Sequence, residues 1–254
     1  MPAQRRGAPP DKRPQSGWSA ASATDQRRRV LAILGAAVAA AVGVAVLLIV
    51  LNRRGADDDP SSMTLRDAEN PIAAGIPRDG RTIGDPAAPI LVVEYADYQC
   101  PFCTGFGLTG LPKLLDEYVA PGTVRLEYHH FLVITADGPD GESARAAEAA
   151  ECARDQGRFW DLHEFLIANS RGEYVGSFTP ERIKEIAGRV DGLDQDAFGG
   201  CVDARTHAAE VVQMVEEGRR AGVRSTPTFV VNGEMVSGGY ADLKAVVDAQ
   251  LASA

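Results

Sequence analysis

The sequence predicts an α/β domain with an inserted block of helices, and three observations indicate this fold class. An apolar strand from Ile90 to Tyr95 is followed closely by a CxxC motif, Cys100–Cys103, that should begin a helix. A second strand, Val124 to Tyr128, alternates apolar and polar residues and precedes a long helical stretch over residues 141–221. Strand character then returns on both sides of Asn232-Gly233, a two-residue turn that suits a type I′ hairpin.

The remaining elements follow from periodicity and helix breakers. Arg81 to Gly84 predicts a short first strand, and the CxxC helix should extend from Cys100 to Val119. Pro112 should kink that helix, because proline lacks the amide hydrogen that an inner turn needs. A closing helix should begin at Tyr240. Apolar spacing further predicts four helices and two hairpin strands: Ser143–Arg154, Phe159–Asn169, Pro180–Val190, Asp194–Arg220, Thr228–Val231 and Glu234–Ser237.

Charge is divided unevenly along the 254 residues. Residues 1–54 contain nine Lys or Arg and two acidic residues, whereas residues 55–254 contain 17 and 33, a net charge of −16. A folded portion that acidic would repel phosphates, so nucleic acid is not an expected partner.

The N-terminal region predicts a membrane anchor. Residues 1–29, rich in Pro, Gly, Ser and Arg, should form a disordered tail. Residues 30–51 are 22 consecutive apolar or Gly residues, long enough to cross a bilayer as one helix. A cleaved signal peptide is the alternative, but its apolar region is usually shorter. The basic residues before the tract place the N-terminus in the cytoplasm and the rest of the chain outside it.

Residues 52–80, rich in Asp, Pro, Ser, Gly and Ala, predict a linker. The folded domain should then occupy residues 81–254, with the helical insertion at about residues 137–221. Export matters for the four cysteines, because disulfides persist outside the cytoplasm.

The CxxC motif predicts thiol chemistry. Cys100 should lie at the helix N-terminus, where unpaired amides and the helix dipole stabilise a thiolate, and Cys103 should lie one turn further on the same face. Cys100 is therefore the expected attacking sulfur and Cys103 the resolving one. A CxxC is also half of many zinc sites, but no second ligand pair has suitable spacing here.

Cys152 and Cys201 both fall on predicted helices of the inserted block. They are either buried free thiols or a structural disulfide, and the even cysteine number in an exported domain favours the disulfide. Closing a loop of about 50 residues would contribute roughly 4 kcal/mol. His129, His130 and His163 lack the spacing of a metal site, so core or surface roles are expected and no metal is predicted.

Three separated segments carry a family resemblance: Val93–Cys103, Asp155–Trp160 with His163, and Gly222–Phe229 with Asn232-Gly233. Together with the element order they resemble the DsbA-like thiol:disulfide oxidoreductases, of a membrane-anchored bacterial type. The resemblance implies a thioredoxin-like fold with an inserted α-helical subdomain. It covers roughly Arg81 to Leu251.

The resemblance also implies further site residues. Pro227 matches the cis-proline that faces the CxxC in this family, and Thr226 before it would pair with an extended peptide. The alternative for Pro227 is an ordinary trans proline at the first position of a strand. Glu94 is a lone carboxyl in an apolar strand, where the family carries an acid beneath the buried cysteine; it would take the proton of Cys103. A solvent-facing strand edge is the alternative for Glu94. Asp97 is expected to be a loop or cap residue.

Phe102 occupies a position where some strongly oxidising relatives have histidine, which implies a milder oxidant. The predicted function is the introduction of disulfides into exported proteins, with a quinone-linked membrane oxidase as the recycling partner that the resemblance implies. No cofactor is predicted. The alternatives are a reductase or isomerase of the same fold, for example in cytochrome maturation, and a copper-binding module that uses the two sulfurs.

Overall fold

The computed structural model describes residues 63–68, 72–73 and 75–253, together with Arg28, Leu34, Gly43 and Val44. The chain divides into two units, residues 1–57 and 58–254, and the fold below is that of the second. The predicted tail 1–29 and anchor 30–51 belong to the first unit and, those four residues apart, lie outside the described residues. Within the described ranges, no helix combines the length and the apolarity needed to cross a membrane.

Six strands form one sheet in the order β1-β2-β4-β3-β5-β6. The central strand β3 runs parallel to β4 and antiparallel to β5, and every other pairing is antiparallel. A central strand is covered on both faces, which explains its apolar sequence. The strands are β1 Arg78–Asp79, β2 Thr82–Ile83, β3 Ile90–Ala96, β4 Val124–His130, β5 Thr228–Val231 and β6 Glu234–Ser237.

The helices follow the predicted order, and the hairpin strands have the predicted bounds. A kinked helical run separates β3 from β4, five helices are inserted between β4 and β5, and one helix closes the domain. This arrangement confirms the predicted α/β fold with its helical insertion. The helices are α1 Pro101–Thr109, α2 Leu111–Leu114 with a π-helical turn Leu115–Val119, α3 Glu142–Arg154, α4 Phe159–Asn169, α5 Pro180–Ala187, α6 Gln195–Ala204, α7 Ala208–Arg220 and α8 Tyr240–Ser253.

The folded domain begins earlier than the expected boundary at Arg81. Strand β1 starts at Arg78, and Ile72 is only 7% exposed within the main core. Leu65 also packs against that core. The described part of the expected linker 52–80 is therefore partly folded. Its apolar residues are too widely spaced to show periodicity, yet burying each one still removes apolar surface from water.

Two predicted helices are interrupted. The predicted helix from Asp194 to Arg220 breaks at Arg205, which takes a left-handed backbone conformation with φ 51° between α6 and α7. The CxxC helix breaks at Gly110, two residues before Pro112. Pro112 has no amide hydrogen for the carbonyl of Leu108, so a regular turn cannot continue there.

Candidate active site

The two CxxC sulfurs lie where strand β3 leads into helix α1. Cys100 is the residue that precedes α1, Pro101 occupies the first helical position, and Cys103 lies in the first turn. Proline suits that position, because the first amide of a helix has no intrahelical partner. Both cysteines are free thiols, with Cys100 4% and Cys103 1% exposed.

Cys100 has an acidic thiol. A hydrogen bond from the Cys103 thiol lowers its pKa, burial opposes this effect, and the Thr226 side chain and the main-chain amides of Cys103 and Phe102 lower it further. The resulting pKa is about 6, well below the ordinary value of 9.0. Cys100 is therefore mostly a thiolate at neutral pH.

Cys103 has the opposite character. Burial raises its pKa well above the ordinary range of a thiol, and the hydrogen bond to Cys100 and the charge of Cys100 add to this effect. The site thus pairs a nucleophilic sulfur, that of Cys100, with the sulfur of Cys103, which stays protonated until a base takes up its proton. Attack by one sulfur and later resolution by the other require this inequality.

The loop before β5 faces Cys100. The Thr226–Pro227 peptide bond is cis. The Cys100 thiol donates a hydrogen bond to the Thr226 carbonyl oxygen, at a sulfur–oxygen distance of 3.5 Å. The buried Thr226 hydroxyl has no hydrogen-bond partner among the described residues, and the Thr226 side chain lowers the pKa of Cys100. Thr226, expected to pair with a peptide through its main chain, therefore also influences the reactive sulfur through its side chain.

Glu94 is buried at the centre of the sheet. It lies opposite Tyr128 of β4 and Phe229 of β5, which excludes the solvent-facing strand edge. Its side chain is 3% exposed, and burial raises its pKa from 4.5 to about 8. The charge of Glu94 in turn raises the pKa of Cys103. A carboxyl group that is protonated at neutral pH thus lies near the sulfur that must lose a proton.

A groove of about 510 Å³ borders the redox site. Helix α1 forms one wall, and the loop at Thr226 and the start of α8 form the other. Phe102 lies on the groove and, at 78% exposed, is the most exposed large apolar side chain among the described residues. This surface can accept an apolar segment of another polypeptide beside Cys100.

The other two cysteines form a disulfide. Cys152 of α3 and Cys201 of α6 are joined with an S–S distance of 2.02 Å and a Cα–Cα distance of 5.9 Å. His207 lies close to both sulfurs, and these three residues are the one group with metal-ligating atoms clustered in the described part of the chain. Sulfurs that are bonded to each other do not provide thiolate ligands, so the cluster in this state is not a thiolate metal site.

The three other histidines have structural contacts. Nδ1 of His163 is 2.9 Å from the Tyr98 hydroxyl in a buried aromatic cluster. His130 and His129 contact carboxylates at 2.8 Å. The pKa of His163 is lowered to about 3, mainly by burial. Core and surface roles account for all three residues.

Sequence reasoning missed a polar cluster just before Cys100. Asp97, expected to be a loop or cap residue, is 1% exposed and accepts hydrogen bonds from three separate parts of the chain. Gln99 and Ser143 are buried beside it. The only sequence signal was a run of polar residues between a buried strand and a helix, which is also typical of an exposed loop.

Comparisons with known proteins agree on the type of domain. A family model described as thioredoxin matches residues 78–249. A probable disulfide bond formation protein D of Bacillus anthracis is 26% identical over 172 residues, covering 67% of this chain and 78% of that protein. The oxidised crystal structure of BdbD from Bacillus subtilis superposes with a TM-score of 0.60 at 24% identity, covering 72% of this chain and 99% of that one.

A Na⁺/H⁺ antiporter, NhaA 3 of Salinispora tropica, is 37% identical over 157 residues. The match covers 62% of this chain but only 22% of the antiporter. The chain therefore spans about a fifth of that relative's length.

Proposed function

This chain belongs to the thioredoxin family, in its DsbA-like group of thiol:disulfide oxidoreductases, and we propose that it introduces disulfides into exported proteins. The observation that carries the proposal is the unequal acidity of two adjacent sulfurs. Cys100 has a pKa of about 6, and the pKa of Cys103 lies far above the usual range. A groove that suits a polypeptide is lined by Pro101 and Phe102, which follow Cys100, and by Thr226, whose carbonyl Cys100 contacts.

The reaction starts from the Cys100–Cys103 disulfide. A substrate thiolate attacks the Cys100 sulfur, the Cys100–Cys103 bond breaks, and Cys103 leaves and takes up a proton. The second substrate thiol, after losing its proton, attacks the substrate sulfur of the mixed disulfide and releases Cys100 as a thiolate. The substrate loses two electrons and two protons, and the enzyme is reduced.

The surroundings of Cys100 favour this direction. A thiolate stabilised below pH 7 favours the reduced enzyme, so the enzyme disulfide tends to pass its oxidising equivalents on. Each pKa unit below the ambient pH favours the reduced form tenfold, or roughly 30 mV for a two-electron couple. Phe102 adds no charge to this stabilisation, which is consistent with the proposed milder oxidant.

Glu94 would manage the proton of Cys103. In the reverse half-reaction, when the enzyme is reoxidised, Cys103 must become a thiolate in a buried site. Because its pKa is about 8, most of Glu94 is protonated at neutral pH, so only its minority carboxylate form would accept the Cys103 proton. The protonated form would return a proton when Cys103 leaves as a thiolate. Membrane anchoring through residues 30–51, with the catalytic domain outside the cytoplasm, and recycling by a quinone-linked membrane oxidase complete the proposal.

Trapping tests the proposal directly. In the full chain, Cys103→Ser should leave clients attached to Cys100 as mixed disulfides that mass spectrometry identifies, because the resolving sulfur is missing. A Cys100→Ser/Cys103→Ser variant is the matched control and should trap nothing. A Cys103→Ser trap that stays empty under conditions in which the wild type oxidises thiols would contradict the proposal.

The reduction potential of the Cys100–Cys103 disulfide distinguishes the proposed oxidase from a reductase or isomerase of the same fold. A value near about −120 mV supports an oxidase, whereas a value near about −270 mV supports a reductase or isomerase. Metal analysis of the reduced protein addresses the copper carrier. Stoichiometric Cu(I), without oxidation of a dithiol peptide, would favour that function instead.

A further inference from the structure

A buried carboxylate organises the chain just before the redox cysteines. Asp97 follows β3, and its side chain accepts four hydrogen bonds from four donors. One oxygen accepts from the Gln99 amide at 3.0 Å and the Ser143 hydroxyl at 2.6 Å. The other accepts from the amides of Val133 and Ile134 at 2.9 and 3.0 Å. The carboxylate therefore joins three parts of the chain: residues 97–99 before the CxxC motif, the segment after β4, and the first turn of α3.

Further hydrogen bonds connect residues 97–99 to the inserted helical block. The Gln99 side chain donates to the Ser143 hydroxyl at 2.9 Å and accepts from the Tyr174 amide at 2.7 Å. The Ser170 hydroxyl donates to the Tyr98 carbonyl at 2.8 Å. Three consecutive residues before Cys100 are thus fixed by the inserted block as well as by the sheet.

The main chain of Asp97 contacts both halves of the CxxC. Its carbonyl oxygen accepts from the Cys100 amide at 3.0 Å. Its amide lowers the pKa of the Cys103 thiol, against the larger raising effect of burial. A shift of Asp97 would therefore withdraw the donor that favours a Cys103 thiolate.

We propose that Asp97 is a positioning residue, whose carboxylate fixes its own main chain, hydrogen-bonded to the Cys100 amide, beside the first turn that carries Cys103, and thereby sets how fast Cys103 forms the disulfide with Cys100. The biological meaning of this proposal rests on the proposed function. The step itself is simple thiol chemistry and can be measured without any protein client.

Asp97→Asn is the sharpest variant. It replaces one acceptor oxygen by an amide donor, and the four existing partners are all donors. Either orientation of the asparagine directs N–H groups at N–H groups, so the loop must move. Ser143→Ala is the milder variant, because it removes one donor and leaves three around an intact carboxylate.

The reaction of the reduced protein with oxidised glutathione separates two steps. The Cys100 thiolate attacks the glutathione disulfide, forms a mixed disulfide and releases one glutathione thiolate. Cys103 then loses its proton and attacks the Cys100 sulfur, releasing the second glutathione thiolate. The protein loses two electrons, and oxidised glutathione is reduced to two thiols.

We expect Asp97→Asn to slow the second step by about tenfold, the effect of weakening one hydrogen bond to a developing charge. The first step should change by less than about twofold, because helix α1 and Thr226, rather than the Asp97 carboxylate, stabilise Cys100. Ser143→Ala should slow the second step by about twofold to threefold. Quenched-flow alkylation and mass spectrometry of the mixed disulfide measure both rates.

Asp161→Asn is the matched control. That carboxylate pairs with Arg78 and Arg158, and its loss should leave the ratio of the two rates unchanged. A folded Asp97→Asn protein with the wild-type rate ratio would overturn the proposal. If Asp97→Asn does not fold, an unchanged ratio in Ser143→Ala would overturn it equally. If the Cys103→Ser variant traps no substrate protein, that result would count against the proposed function. The two glutathione rates would still test the role of Asp97.

Discussion

The chain contains two cysteine pairs that differ in almost every physical respect. Cys100 and Cys103 lie in one turn at a helix N-terminus, within hydrogen-bonding reach of main-chain amides and a threonine hydroxyl. Cys152 and Cys201 are 49 residues apart and join two helices of the inserted block. The first pair consists of free thiols, and the second is a disulfide.

The difference shows that burial alone does not define a redox site, because Cys152 is as buried as Cys100 and Cys103, and Cys201 is partly buried. Cys100 differs because several hydrogen-bond donors surround its sulfur and stabilise the thiolate relative to the neutral thiol. Near Cys152 and Cys201, the neighbouring His207 is engaged instead by Asp155 and Glu210, at 2.8 Å each. The first environment favours exchange, whereas the second favours a lasting cross-link.

The largest expected effect tests whether the pairs have separate roles. Cys100→Ser should lower thiol oxidation by about 10³-fold or more, because exchange needs the thiolate nucleophile. Cys152→Ser/Cys201→Ser should keep the wild-type rate per folded molecule. Oxidation of a dithiol peptide followed by fluorescence measures both. Activity lost in the double variant and retained in Cys100→Ser would reverse the assignment.

Stability should show the opposite pattern. Cys152→Ala/Cys201→Ala should lower the free energy of unfolding by about 4 kcal/mol, because the open loop regains entropy in the unfolded chain. Urea unfolding under non-reducing conditions measures the loss. The control is Cys100→Ala/Cys103→Ala compared with the reduced wild type, which should lose much less. Equal losses in the two variants would mean that the second disulfide contributes little cross-linking stability.

The pH dependence of the free energy of unfolding should distinguish the surroundings of the two cysteine pairs, because a different carboxyl group lies near each pair. The expected effect is of intermediate size. Glu94 has a pKa of about 8 in the folded protein and an ordinary value of 4.5, so the folded state binds the extra proton between these values. Stability should therefore fall as pH rises from about 4.5 to 8. Glu94→Gln should remove this loss and stabilise the protein by roughly 3 kcal/mol at pH 7, but little at about pH 4.

Glu151, next to Cys152, is the control for that variant. Burial raises its pKa, but the hydrogen bond to His130 and the charges of Arg81 and Arg154 outweigh this, and the net pKa is lowered. Glu151→Gln should therefore destabilise the protein at neutral pH, in contrast to Glu94→Gln. Chemical denaturation across pH measures both. A stability of Glu94→Gln that follows the wild type at every pH would show that Glu94 is not a buried neutral acid.

The smallest expected effect concerns the donor on the opposing loop. The alkylation rate of Cys100 should titrate with a midpoint of about 6. Thr226→Val removes the hydroxyl at nearly constant shape and should raise the midpoint by about half a pKa unit to one unit. Thr228→Val is the control, since that hydroxyl donates to the Ser225 carbonyl at 2.8 Å. A midpoint that moves equally in both variants would argue against a specific role of Thr226.

Local sequence predicted the elements that local physics controls. The hairpin strands around Asn232-Gly233 have the predicted bounds, because the turn residues themselves adopt positive φ, 45° and 93°. The break at Arg205 was not predictable in this way. The apolar stripe continues at helical spacing through α6 and α7, and Arg205 is held outside the helix by ion pairs with Glu148.

The sequence by itself determined the reactive motif, since a spacing of three and a helix start fix the relation of Cys100 to Cys103. Tertiary structure decided what surrounds it. Thr226, 126 residues from Cys100, supplies a carbonyl acceptor and a side chain that lowers the Cys100 pKa, and Asp97 finds partners up to 46 residues away. The physical reason is range: turns and helix starts depend on neighbours in sequence, whereas burial and hydrogen bonding of a thiol or carboxylate depend on which distant segments the packed sheet and helices bring beside it.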